Sequence, residues 1–144
     1  MTAEQRGFSL DPRLAADCII LGSTGECELL LLNNRLLRPW FILVPYTLEE
    51  ELIDLELEML HRVMQQMAEL SRFVRREFHP DKINTATIGN VVSQLHIHII
   101  ARYHNDPCWP GTVWGYAEDK ETYPAQETND IVSRLKENTA LLVD

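Results

Sequence analysis

Residues 94 to 102 of this 144-residue chain read Gln-Leu-His-Ile-His-Ile-Ile-Ala-Arg, and the polar/apolar alternation that opens the run is the mark of a β-strand with two unlike faces. Successive strand side chains point to opposite faces, so Gln94, His96 and His98 share one wall while Leu95, Ile97 and Ile99 fill the other. At a rise of about 3.3 Å per residue, the two imidazoles stand roughly 7 Å apart along that wall. Imidazole exchanges protons, binds metal and attacks phosphorus near neutral pH, which makes this strand the first place to look for function.

The rest of the chain supplies partners for such a strand. Cys18–Leu21 and Glu28–Leu32 are short apolar runs separated by Gly22–Glu26, which reads as a hairpin turn. Trp40–Val44 is a third strand, closed by Pro45. The period then changes at Thr47-Leu-Glu-Glu50, which reads as a capping box that starts a long helix, with Glu49–Glu51 at the positive end of its dipole. Leu52, Leu55, Met59, Leu60, Val63, Met67, Leu70 and Val74 recur at three and four, the stripe of a helix packed on a sheet. The helix is expected to run to about Glu77, ended by His79-Pro80-Asp81. Lys82–Ile88 reads as a fourth strand, Gly89-Asn90 as a bend, Cys108–Gly115 as a structured loop, and about Thr128–Leu141 as a final amphipathic helix. The order β-β-β-α-β-β-loop-α, with hairpins where strands adjoin, implies an α+β fold with an antiparallel sheet under helical cover.

Length and composition fit one domain over residues 1–144, large enough to bury a core without disulfides. Three cysteines, Cys18, Cys27 and Cys108, form no Cys-x-x-Cys pair, so neither a disulfide framework nor a cysteine zinc site is expected. No apolar run reaches the roughly 20 residues that span a bilayer. The polar start, Met1–Gly7, lacks the apolar core of a secretory signal, so a cytoplasmic location is expected, with no membrane partner. A net charge of −9 argues against a nucleic-acid polymer, whose affinity comes mainly from Lys and Arg displacing counterions. It does not argue against a mononucleotide, which backbone N–H groups and a few polar side chains can hold locally.

The segment Gln94-Leu95-His96-Ile97-His98-Ile99-Ile100 resembles the signature His-φ-His-φ-His-φ-φ of the histidine triad (HIT) superfamily of nucleotide hydrolases and transferases, where φ is apolar. Leu43-Val44-Pro45 before a long helix, Gly89-Asn90-Val91-Val92 before the triad and Arg102 after it agree with that resemblance, which spans roughly residues 18 to 102. The resemblance implies a HIT-like fold: a five-stranded antiparallel sheet, one long helix after the third strand and a C-terminal helix. It implies a homodimer, and activity at the α-phosphorus of a purine nucleotide derivative such as a dinucleoside polyphosphate or a nucleoside phosphoramidate. His96 is then the nucleophile that becomes transiently nucleotidylated. His98 and Gln94 act beside it, and Asn84, Gly89, Asn90 and Arg102 contact phosphate or nucleotide. No metal or other cofactor is required.

Two positions depart from the family pattern. Gln94 replaces the first histidine of the triad, and Trp40 stands where a further histidine is often found, five residues before the strand-ending proline. Glutamine donates and accepts hydrogen bonds but carries no proton between groups near pH 7. In the family the first position also orients the nucleophile through its backbone carbonyl, which Gln94 keeps. Two other readings therefore stand beside the enzyme: a nucleotide-binding protein without turnover, and a metal site in which His96 and His98 ligate zinc with a third ligand from elsewhere. His61, His79 and His104 receive no role, and Trp40, Trp109 and Trp114 read as core or interface anchors before base-stacking groups.

Overall fold

The computed structural model describes residues 7–116 and 119–144, so the polar start Met1–Arg6 lies outside the described residues. The chain opens with a short helix α1 (Pro12–Asp17) and continues through strands β1 (Cys18–Ser23), β2 (Cys27–Leu32) and β3 (Trp40–Pro45). A long helix α2 (Leu57–Phe78), strands β4 (Lys82–Ala86) and β5 (Ile97–Arg102), and helix α3 (Ala125–Asn138) follow. The five strands form one sheet in the order β1-β2-β3-β5-β4, every neighbouring pair antiparallel. This is the α+β architecture expected from the order of periods.

β3 and β5 lie inside the sheet and are buried on both faces, which is why all six residues of each are inaccessible. The two faces carry separate cores. Leu29, Leu31, Phe41, Leu43, Leu95, Ile97 and Ile99 pack under Val63, Leu70, Phe73 and Val74 of α2 and Ile131 and Leu135 of α3. Leu30, Trp40, Ile42, Val44 and Ile100 pack on the opposite face with Leu14 of α1, Leu37 and Val113. His98 belongs to this second face, because Ile97 and Ile99 on either side of it belong to the first.

Several boundaries differ from the sequence reading. The ladder of β5 begins at Ile97, so Gln94 and His96 precede the strand. α2 begins ten residues after the apparent capping box at Thr47. The Thr47 hydroxyl accepts from the Glu49 N–H (3.1 Å) in a local turn, and Leu52–Asp54 form a 3₁₀ turn that delivers Leu55 to the core. The i, i+3 spacing of Leu52 and Leu55 suits a 3₁₀ turn as well as an α-helix, so periodicity does not separate the two. The end of α2 follows the expected chemistry: Pro80 disfavours helical dihedrals at His79, which adopts a left-handed conformation (φ 49°) while its N–H closes on the Arg75 carbonyl. α1 was not anticipated, although Asp11 caps it through a bond from the Arg13 N–H (2.8 Å) and Pro12 occupies its first turn. α3 starts and ends three residues earlier than the periodicity suggests. Among the described residues no helix is long and apolar enough to cross a membrane.

Candidate active site

His96 emerges just before β5 and is held by the main chain. Its Nδ1 lies 2.6 Å from the carbonyl oxygen of Gln94. A carbonyl only accepts, so Nδ1 carries a proton, and in the neutral ring Nε2 is then the nitrogen with the free lone pair. His96 is 7% exposed and helps line a cavity with Gly89, Ser93, Gln94, Glu50 and Glu51. Gly89 sits there with a φ of 71°, a conformation that brings bare backbone to the cavity wall.

His98 pairs in register with Ile42 of β3 and Ala86 of β4. Its ring centroid is 4.8 Å from that of His96, edge to face, nearer than the roughly 7 Å strand repeat. Trp40 and Trp114 close on the same ring at 5.6 and 5.1 Å, edge to face, and the Trp40 indole Nε1–H donates to His98 Nδ1 at 2.9 Å. Burial, aided by the charge of His96, pushes the His98 imidazole from 6.5 down to about 4. His98 is therefore a neutral ring near pH 7.

Gln94 reaches the cavity wall, but its amide is engaged elsewhere. Oε1 accepts from the Asp11 N–H and Nε2 donates to the Ser9 carbonyl, both at 2.8 Å. Arg13 adds a second tie from the same N-terminal segment to the loop before the triad, donating to the Val91 carbonyl at 2.8 Å. The position thus acts twice: its backbone carbonyl orients His96, and its side chain clasps the segment that leads into α1.

The remaining candidates separate. Asn84 lies on β4 opposite Ile100, on the face shared with His98, and its Oδ1 accepts from Arg102 at 2.8 Å. A guanidinium only donates, so the amide turns its oxygen inward and leaves Nδ2 as the outward donor. Arg102, read from the sequence as a phosphate contact, is placed otherwise: it is 2% exposed, paired to Asp106 at 2.8 Å and bonded to the Gly111 carbonyl at 2.7 Å. Its charge is consumed in holding β5, Asn84 and the 106–111 loop together. Asn90 is exposed and does not line the His96 cavity, in contrast to Gly89. Among the described residues, no three His, Cys, Asp or Glu side chains group to hold a metal ion.

Sequence reasoning did not anticipate the Trp40 bond, the approach of Trp114, the Ser9–Asp11 clasp or the acidic rim of Glu50 and Glu51. A hint for the last was the acidic run itself, there assigned to a helix start.

The comparisons agree with this fold. The HIT-domain family model matches residues 13–105. A histidine triad protein from Sinorhizobium meliloti is 36% identical, with a TM-score of 0.85 over 91% of this chain and 96% of that one. One from Marinobacter aquaeolei is 38% identical, with a TM-score of 0.85 over 93% and 96%. The diadenosine triphosphate hydrolase of Plasmodium falciparum shares the fold at 20% identity, with a TM-score of 0.62 over 91% of this chain and 82% of that one. No curated protein matches the chain.

Proposed function

The chain belongs to the HIT family, and on that premise we propose that it is a cytoplasmic, homodimeric hydrolase or transferase acting at the α-phosphorus of a purine nucleotide derivative. The observation that carries this reading is the 2.6 Å contact between His96 Nδ1 and the Gln94 carbonyl, which leaves Nε2 as a bare nucleophile beside the cavity. Nε2 attacks phosphorus with its lone pair, a nitrogen–phosphorus bond forms, and the bond to the leaving group breaks with its electron pair. The Nδ1–H stays on the Gln94 carbonyl, which helps bear the positive charge that the ring acquires. Water or another acceptor then displaces His96 and carries the nucleotide away. Splitting one hard displacement into two easier ones is the gain of covalent catalysis.

His98 and the outward amide N–H of Asn84 supply donors for phosphate or ribose oxygens, and backbone at Gly89 adds close approach without a side chain. The scheme requires no metal. Neither Gln94 nor Trp40 transfers a proton near pH 7, so the leaving group departs as a stable anion or takes its proton from water. Dinucleoside polyphosphates and nucleoside phosphoramidates both fit, and the diadenosine triphosphate hydrolase that shares this fold makes the first class a natural starting point.

A second reading, nucleotide binding without turnover, is favoured by one observation: the Gln94 amide that replaces an imidazole is tied through its oxygen to Asp11 and through its nitrogen to Ser9. Intact-mass spectrometry after incubation with adenosine 5′-phosphoramidate or a diadenosine polyphosphate separates the two. An acid-labile nucleotidyl adduct or a nucleotide product, lost in His96→Ala, is the expected result. Binding with neither adduct nor product, across both substrate classes, selects the second reading.

A further inference from the structure

We propose that Trp40 is a positioning residue that holds His98 in the neutral tautomer with its proton on Nε2, so that the site presents one bare imidazole nitrogen on His96 and one imidazole N–H on His98. Trp40 pairs with Ile100, and Ile42 pairs with His98, so the indole and the imidazole are diagonal neighbours on one face of β3 and β5. Aromatic side chains span that diagonal. The indole Nε1–H has only a proton to offer, and it meets His98 Nδ1 at 2.9 Å. Nδ1 must therefore be the acceptor. In the other neutral tautomer, and in the imidazolium, two N–H groups would face each other inside a contact nine-tenths shielded from water.

The surroundings leave that conflict no easy relief. His98 is 6% exposed and Trp40 7%, and Trp114 packs edge-on against both, at 5.1 Å from His98 and 5.9 Å from Trp40. A ring that turned to escape would enter Trp114 or His96. The choice of indole is informative: a histidine at position 40 can donate or accept and would leave the tautomer of His98 undetermined, whereas tryptophan donates only. His96 receives the opposite instruction from the Gln94 carbonyl, which only accepts. Two groups with a single hydrogen-bonding capability each thus assign opposite tautomers to neighbouring rings. The bearing of this arrangement on phosphate rests on the function proposed above, but the tautomer itself does not.

Nitrogen-15 NMR of the full chain at neutral pH decides the matter without any substrate. His98 is expected to show a bare Nδ1 and a protonated Nε2, with a scalar coupling across the hydrogen bond between Trp40 Nε1 and His98 Nδ1; His96 is expected to show the reverse protonation. Trp40→Phe should lose this pattern at His98, giving mixed tautomers or a protonated Nδ1, and leave His96 unchanged. Trp114→Phe, which changes the packing against His98 but leaves the Trp40 bond in place, should retain it. A wild-type His98 that is protonated on Nδ1 overturns the proposal, as does an unchanged His98 spectrum in Trp40→Phe. Should Trp40→Phe fail to fold, the coupling in the wild type decides: its presence supports the assignment and its absence overturns it. A protein that fails every turnover assay yet shows the coupling retains this inference and loses the enzymatic reading.

Discussion

Arg102 and Asp106 form a buried ion pair four residues apart, with Nε 2.8 Å from Oδ2 and side chains that are 2% and 7% exposed. The aspartate also accepts from the Tyr103 and Cys108 N–H groups, at 3.1 and 3.2 Å, so the turn after β5 is built around it. On the other side the guanidinium reaches Asn84 and the Gly111 carbonyl. The pair therefore sets both the loop that carries Val113 and Trp114 towards the site and the direction of the Asn84 amide.

Removing one partner of such a pair strands the other charge away from water. Asp106→Ala is expected to lower unfolding stability by about 3–5 kcal/mol. Arg102→Lys should also be costly, because one ammonium cannot reproduce the planar fork that serves Asp106, Asn84 and Gly111 together. Denaturant titration checks both variants, and a loss below 1 kcal/mol in Asp106→Ala would show that water replaces the pair.

Gln94 makes two bonds to the backbone of the N-terminal segment, each worth roughly 0.5–1.5 kcal/mol net. Gln94→Ala should speed amide hydrogen exchange at Asp11, whose N–H loses its acceptor. Gln94→Glu should preserve protection at Asp11 but lose the donor to Ser9. The His96 contact goes to the main-chain carbonyl, so neither substitution removes it. Unchanged exchange at Asp11 in Gln94→Ala would mean that Arg13 and the packing of α1 hold the segment unaided.

Gly89 occupies a left-handed backbone conformation, and a Cβ there would meet only the carbonyls of Val92 at 3.6 Å and Ser93 at 4.0 Å. The obstacle to a side chain is thus conformational rather than steric. Gly89→Ala is expected to cost about 1–2 kcal/mol, and Gly89→Asn less, because asparagine tolerates this region better. Thermal or denaturant unfolding of the two variants gives the order, and equal costs would point instead to a clash at the cavity wall.

What the sequence made legible was period and punctuation. β1 to β3, the stripe of α2 and the Pro80 stop are local patterns, and each has a local physical cause. The misplacement of the α2 start has the same root: Leu52 and Leu55 satisfy a 3₁₀ turn and an α-helix alike. Candidate site residues were legible as residue types and spacings, but their partners were not. Trp40 finds His98 across 58 residues, Gln94 finds Ser9 and Asp11 across 85 and 83, and Arg102 finds Asn84 across 18. Such pairings depend on strand order and on which edge a loop crosses, and no periodicity in a single chain carries that information.

The Trp40 bond and the burial of His98 also tie stability to pH. Burial, then the neighbouring His96 charge, depresses the His98 pKa from 6.5 to about 4 in the folded protein. Between these values the unfolded chain binds a proton that the folded chain refuses, so stability rises with pH across this window. The contribution is complete above 6.5 and is lost as pH falls towards 4. At about 1.4 kcal/mol per pH unit of displacement, the limit is about 3 kcal/mol. Asp106 behaves in the same direction but lower: burial raises its pKa, and the Arg102 and backbone N–H bonds more than reverse this, so its share is lost only below the ordinary carboxylate value of 3.8. Denaturant midpoints of the wild type and His98→Asn, measured from pH 7 to pH 4, isolate the histidine. The difference between the two proteins should shrink as the pH falls through that window. A difference that stays flat would mean that His98 takes up its proton in place, turning from Trp40 at no cost.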